Sequence, residues 1–166
     1  MSKFSYFLSV AAILIFLSAC SNKPKTREQQ VAEFRSELTG EDTTQMLKIC
    51  DDAMELLKNK QYDRVLASMF EYTDSTQEVK PLSAETMKRY KTMFKMFPVL
   101  EYHRTYYSFM LEGCNDVKYM VTFAPSEKTG TGEAARTSYM FNPVKVDGTW
   151  RLCVKTPDDQ LDIEKR

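Results

Sequence analysis

The feature that most constrains this chain is a change of apolar period at Pro98. Before it, Met46, Ile49, Cys50, Ala53, Leu56 and Leu57 recur at the spacing of one helical face. After it, "EYHRTYYSFMLEG" alternates with a period of two, the spacing of a half-buried strand. A chain that switches once in this way places helices first and a sheet second, an α+β layout.

Local signals fill in the layout. Asp42 is expected to cap the helix that carries the stripe. "NKQY" interrupts it, and "YDRVLASMFEY" reads as a second helix bearing Val65, Leu66, Met69 and Phe70. Pro81 and Ser83 open a third, with Met87, Tyr90, Phe94 and Phe97 on one face before Pro98 ends it. In the first strand, alternation puts His103, Thr105, Tyr107, Phe109 and Leu111 on one face and Tyr102, Arg104, Tyr106, Ser108 and Met110 on the other. "VKYMVTFA" aligns Val117, Tyr119, Val121 and Phe123, and "RTSYMFNPVKV" follows a polar connection. Asp147-Gly148 is a two-residue hairpin signal, and Trp150, Leu152 and Val154 face inward on the last strand.

Ahead of this domain the chain carries an address. Lys3 precedes the apolar run "YFLSVAAILIFL", which has signal-peptide length and falls short of the roughly 20 residues that span a bilayer. The following "LSAC", Leu17 to Cys20, resembles the lipobox of bacterial lipoproteins, with a branched apolar residue, two small residues and a cysteine. That resemblance implies a diacylglyceryl group on the Cys20 thiol, cleavage before it and often acylation of the new amine. Two or more acyl chains make anchoring stable where one holds marginally. The bland alternative is an ordinary signal peptide cut near Ala19, or an uncleaved anchor, with Cys20 incidental. Ser21 in place of an acid implies sorting to the outer membrane, with the domain facing the periplasm or, alternatively, exposed at the cell surface. Residues 1–19 are thus read as signal peptide, 20–41 as lipidated cysteine and tether, 42–157 as the α+β domain and 158–166 as a polar tail. Within the tether, Thr26 and Gln29 have capping-box spacing, so a short helix ending near Gly40 is consistent with it. Lys23, Lys25 and Arg27 lie close to the expected lipid headgroups.

The element order and the closing "VKVDGTWRLCV" resemble the nuclear transport factor 2-like superfamily, in which a curved antiparallel sheet wraps helices into a cone. Within it, the chain is most similar to small lipoproteins of Bacteroidetes-type bacteria, whose domains carry no assigned role. A cystatin-like helix on a sheet is the nearest competing layout. In enzymatic members of the superfamily, resembling ketosteroid isomerase or dehydratases, an aspartate or histidine works with tyrosines inside the cone. His103 is the only histidine here. It reads either as a general base near such a pocket or as a packed strand residue. No acidic partner sits at an orienting spacing, which favours the second reading. Tyr90, Tyr107, Tyr119 and Tyr139, with Tyr102 and Tyr106, are candidates to line a cavity; tyrosine is equally common in strands on propensity alone.

Composition excludes several classes. Lysine plus arginine equals aspartate plus glutamate at 23 each, and loss of residues 1–19 leaves 22 bases against 23 acids. Nucleic-acid binding needs a basic face, so none is expected. Met87, Met93 and Met96 have helical spacing rather than the clustering of a soft-metal site, and read as core filler. Beyond Cys20, Cys50 sits on the apolar stripe, while Cys114 and Cys153 leave pairing open. No C-x-x-C is present, so neither a zinc site nor a redox motif is supported. "GTGEAA" matches G-x-G-x-x-A in letters but leads into a strand, not the helix a phosphate cradle needs. No cofactor and no metal are therefore expected. The function this favours is a lipid-anchored, non-catalytic module that binds a small molecule, a peptide or an envelope protein. The alternative is a small isomerase or hydratase using His103.

Overall fold

The computed structural model describes residues 24–73 and 76–155. Cys20, the signal region and the polar tail lie outside the described residues. Helix α1 spans Arg27–Glu37, its start fixed by the capping box in which Thr26 and Gln29 satisfy each other's backbone N–H groups. Helix α2 spans Gly40–Lys58. Its cap is Thr39, not Asp42. Asp42 sits three residues on and returns the capping bond, accepting from the Thr39 N–H at 3.0 Å. Met46, Cys50, Ala53 and Leu57 are buried as the stripe required, Ile49 and Leu56 are half-buried, and Met54 joins the core.

Helix α3 is shorter than its sequence suggested. It covers Tyr62–Ser68, and Met69–Thr73 turns into strand β1, hairpinned to β2 at Glu78–Pro81. Phe70 and Tyr72 therefore do not continue a helical face. The reason is tertiary: β1 finds an open sheet edge and pairs with the last strand, Met69 opposite Leu152. Helix α4 spans Ala84–Met96, capped by Ser83. It buries Thr86 and Phe94 and leaves Met87 and Met96 exposed at 39% and 61%, so neither is part of the buried face.

Strands β3 (Glu101–Phe109), β4 (Asn115–Ala124), β5 (Ala135–Val146) and β6 (Thr149–Lys155) follow, with a short helix α5 at Ser126–Thr129. They form a curved, open six-stranded sheet in the order β2-β1-β6-β5-β4-β3. The sheet is mixed rather than wholly antiparallel, since β1 and β6 run parallel. That is permitted because no short turn joins them. The Asp147-Gly148 hairpin forms as expected, both residues at positive φ.

One irregularity resets a whole face. Arg104 pairs with Tyr119 and Tyr106 with Lys118, so Thr105 is an extra residue, a β-bulge. Before the bulge, Tyr102 and Arg104 point toward the helices; after it, Tyr107 and Phe109 do. His103 pairs opposite Met120 on the outer face. It does not share a face with Tyr107 and Phe109, contrary to simple alternation.

The main core lies between α2, α4 and the inner face of the sheet, and includes Met46, Met54, Leu57, Phe94, Tyr119, Phe141 and Trp150. A smaller cluster of Tyr72, Val144 and Cys153, flanked by Phe70, Val79 and Val146, sits on the outer face. The 110–114 turn crosses it. Gly113 lies against the Tyr72 ring at φ +76°, where a Cβ would come within 2.2 Å of the ring. Asn115 holds this turn: its side chain accepts from the Met110 N–H and donates to the Pro143 carbonyl at 3.0 Å. Among the described residues, no helix is long and apolar enough to cross a membrane.

Candidate functional site

The expected cavity tyrosines do not converge. Tyr119 is fully buried at the centre of β4, and its hydroxyl donates to Asp51 Oδ1 at 2.5 Å. Tyr139, buried on β5, donates to the Phe97 carbonyl at 2.5 Å. Tyr90 packs its ring on Phe94, which in turn meets Tyr139. Tyr107 lies apart, half exposed, against Phe109 with the Arg104 guanidinium above it. His103 is exposed on the outer face, away from all four.

Between α2 and β3–β4 the structure instead assembles a polar cluster that sequence reasoning missed. Asp51 accepts from Tyr119 and, at 3.3 Å, from Arg104. One turn on, Glu55 accepts from the Tyr102 hydroxyl at 2.5 Å, with Lys58 over the Tyr102 ring. Burial first, and then the adjoining carboxylate, hold the Tyr119 and Tyr102 phenols above the usual tyrosine range. Both therefore stay protonated donors at neutral pH and act as struts between helix and sheet. The available signal was Asp51 and Glu55 at i, i+4 beside the apolar stripe, which puts two acids on one flank of α2.

A third carboxylate fixes the start of α2. Asp42 accepts from Lys145 Nζ at 2.7 Å and from Trp150 Nε1 at 3.0 Å as well as from Thr39. The Lys145 ammonium and these hydrogen bonds hold its carboxyl well below the usual carboxylate range.

The rim carries the open space. A groove of about 650 Å³ runs between α1 and the 110–114 turn, with Phe34 and Leu111 as apolar lining and Arg27, Glu33, Glu37 and Glu112 as its charged lining. Cys114 borders the same groove. Glu33 is paired with Lys25, and Glu112 accepts from the Lys145 backbone N–H at 2.6 Å. Burial raises the Glu112 carboxyl above its ordinary value in spite of that bond. A second groove of about 410 Å³ flanks the other side of α1, lined by Val31, Ala32, Arg35 and Met110. Cys50, Cys114 and Cys153 are free thiols. Burial pushes Cys153 up to about 12 and Cys50 higher still, so neither is a nucleophile.

Fold and grooves together define an α+β protein with a packed interior and an open rim. No protein-family model matches the chain, and no curated protein matches it. Solved structures similar to it include a de novo designed protein with a curved β-sheet, at 10% identity and TM-score 0.42, covering 77% of this chain and 96% of that one. Another is an NTF-2 like protein of unknown function from Shewanella oneidensis, at 9% identity and TM-score 0.41, covering 69% and 98%. A third is Aln2 from a Streptomyces species, at 14% identity and TM-score 0.42, covering 78% and 98%. The overlaps are loose, and neighbours this distant say nothing of a ligand or a reaction.

Proposed function

We propose that this chain is a lipid-anchored lipoprotein of the cell envelope that serves as a non-catalytic binding module, taking a basic peptide segment of an envelope protein in the groove between α1 and the 110–114 turn. The anchor reading rests on Leu17-Ser18-Ala19-Cys20. The nuclear transport factor 2-like reading of the domain rests on element order and the Asp147-Gly148 to Trp150 ending. The observation that carries the binding site is the make-up of the groove, where Glu33, Glu37 and Glu112 outnumber the one lining cation, Arg27, around Phe34 and Leu111. Peptide recognition uses that combination, with apolar anchors supplying affinity and charge supplying selection. The interior offers a small molecule little, because Tyr119 and Tyr139 spend their hydroxyls on Asp51 and Phe97. An isomerase reading has His103 on the wrong face for those tyrosines.

Two measurements test the proposal. Cells fed an alkyne-bearing palmitate should label the wild-type chain, and Cys20→Ser should lose both label and membrane retention. A photo-crosslinking residue at position 37 should trap a lysine- or arginine-rich segment in intact envelopes, and the same residue at position 103 should not. Equal trapping at both positions would overturn the groove assignment, and retained labelling in Cys20→Ser would overturn the anchor.

A further inference from the structure

We infer that the domain lies on the phospholipid surface of the membrane that anchors it, through the flank of α1 formed by Val31, Ala32 and Arg35 together with Met110 and Tyr107. The inference rests on the Cys20 anchor reading and adds to it which face of the domain meets lipid.

The link between anchor and body is short. The Lys25–Glu33 ion pair and the Thr26–Gln29 capping box tie the chain to α1 from residue 25 onward. Only residues 21–24 separate Cys20 from that point. Five steps from one Cα to the next reach at most about 18 Å. The helix is fixed to the body in its turn, by Phe34 and Leu38 against the core and by Arg35 Nε donating to the Phe109 carbonyl at 3.1 Å. An acylated Cys20 therefore keeps the first turn of α1 within that reach of the headgroups.

Charge decides which side of α1 turns toward them. The flank facing Leu111 carries Glu33 and Glu37 and looks onto Glu112. Phosphate repels it. The opposite flank holds the groove of about 410 Å³, where Val31, Ala32 and Met110 lie among Arg27, Arg35 and a single acid, Glu28. Arg35 spends Nε on Phe109 and keeps its two terminal amino groups for phosphate oxygens. Beyond Phe109 the surface continues to Tyr107, half exposed, its ring 5.2 Å from that of Phe109 and under the Arg104 guanidinium. Aliphatic side chains bounded by arginines, with a tyrosine alongside, suit the headgroup layer: the apolar groups enter the acyl boundary and the cations meet phosphate. Resting on this flank leaves the acidic groove on the other side of α1 open to its basic segment.

The test uses the mature chain in vesicles of phosphatidylethanolamine and phosphatidylglycerol, with a photoreactive diazirine in the upper acyl chain of the lipid. The mass of the same sample reports acylation of Cys20. Crosslinks should concentrate on Val31, Ala32, Tyr107 and Met110. Tyr106 and Met140, exposed at 43% and 47% on the outer face of the sheet, should take few. Ala32→Glu, at an exposed helical position, sets an acid against phosphate and should lower crosslinking at Met110 and Tyr107 about fivefold, the effect of one charge at an anionic surface. An acylated chain that crosslinks equally through Tyr107 and Tyr106, or that ignores Ala32→Glu, overturns this inference and leaves the anchor standing. A chain without an acyl group overturns both.

Discussion

Trp150 Nε1 donates to Asp42 Oδ1 at 3.0 Å, joining the last strand of the sheet to the first turn of α2. Lys145 reaches the same oxygen and lies over the Trp150 ring. One carboxylate thus completes the capping box at a helix start, neutralises a cation and satisfies an indole. Its folded-state pKa is depressed, so its stabilising effect is complete above the unfolded aspartate value near 3.9 and is lost as pH falls from there. Asp42→Asn should destabilise the domain by about 1–3 kcal/mol at pH 7. Urea unfolding from pH 7 to pH 2 should show the gap between the two proteins closing below pH 4.

Gly113 and Gly130 separate two causes of strain. Both have positive φ, but a Cβ meets the Tyr72 ring at Gly113 and nothing at Gly130. Gly130→Ala should cost about 1–2 kcal/mol, the backbone penalty alone. Gly113→Ala should cost more, because the turn or the ring has to move as well. Equal losses in thermal unfolding would show that the turn does not press on Tyr72.

Tyr119 and Asp51 tie the centre of β4 to α2 through one hydrogen bond. Tyr119→Phe removes one hydrogen bond and should cost about 0.5–1.5 kcal/mol. The phenols of Tyr102, Tyr119 and Tyr139 are all raised, chiefly by burial. The stability they lend is present below the unfolded tyrosine value near 10 and is lost as pH rises above it. Absorbance at 295 nm should therefore show these three ionising beyond the free-tyrosine range.

The thiols differ in access. Cys114 is half-buried at the groove, while Cys50 and Cys153 are fully enclosed. Ellman's reagent at pH 8 should modify Cys114 in the folded protein and the other two only after unfolding. Fast reaction at Cys153 would contradict its placement in the outer cluster.

His103→Gln should change stability by less than about 0.5 kcal/mol, as exposed substitutions do. A larger loss in urea unfolding would show that the ring makes a contact the outer face does not provide.

Much of this architecture was legible where the signal was local. The α2 stripe, the Val117-Tyr119-Val121 alternation and the Asp147-Gly148 hairpin each depend on neighbours a few residues away. The β1–β2 hairpin was not, because Met69 and Phe70 suit a helix as well as a strand, and the choice is made by β6 at the far end of the chain. The placement of His103 failed for a different reason. A bulge at Thr105 leaves no mark in the alternation, so every assignment on its N-terminal side inverts. At the candidate site, Phe34 and Leu111 read as apolar positions, but their meeting depends on how α1 and a turn cross in space.

The bulge has one more effect. Strand β3 is one of the two edges of the sheet, nine residues long with tyrosines on both sides. A flat strand of that length invites another to zip onto it. Thr105 breaks the repeat midway, and Arg35 already occupies the carbonyl of Phe109 at one end. Crowded copies of this protein therefore find no unbroken row of partners along that margin.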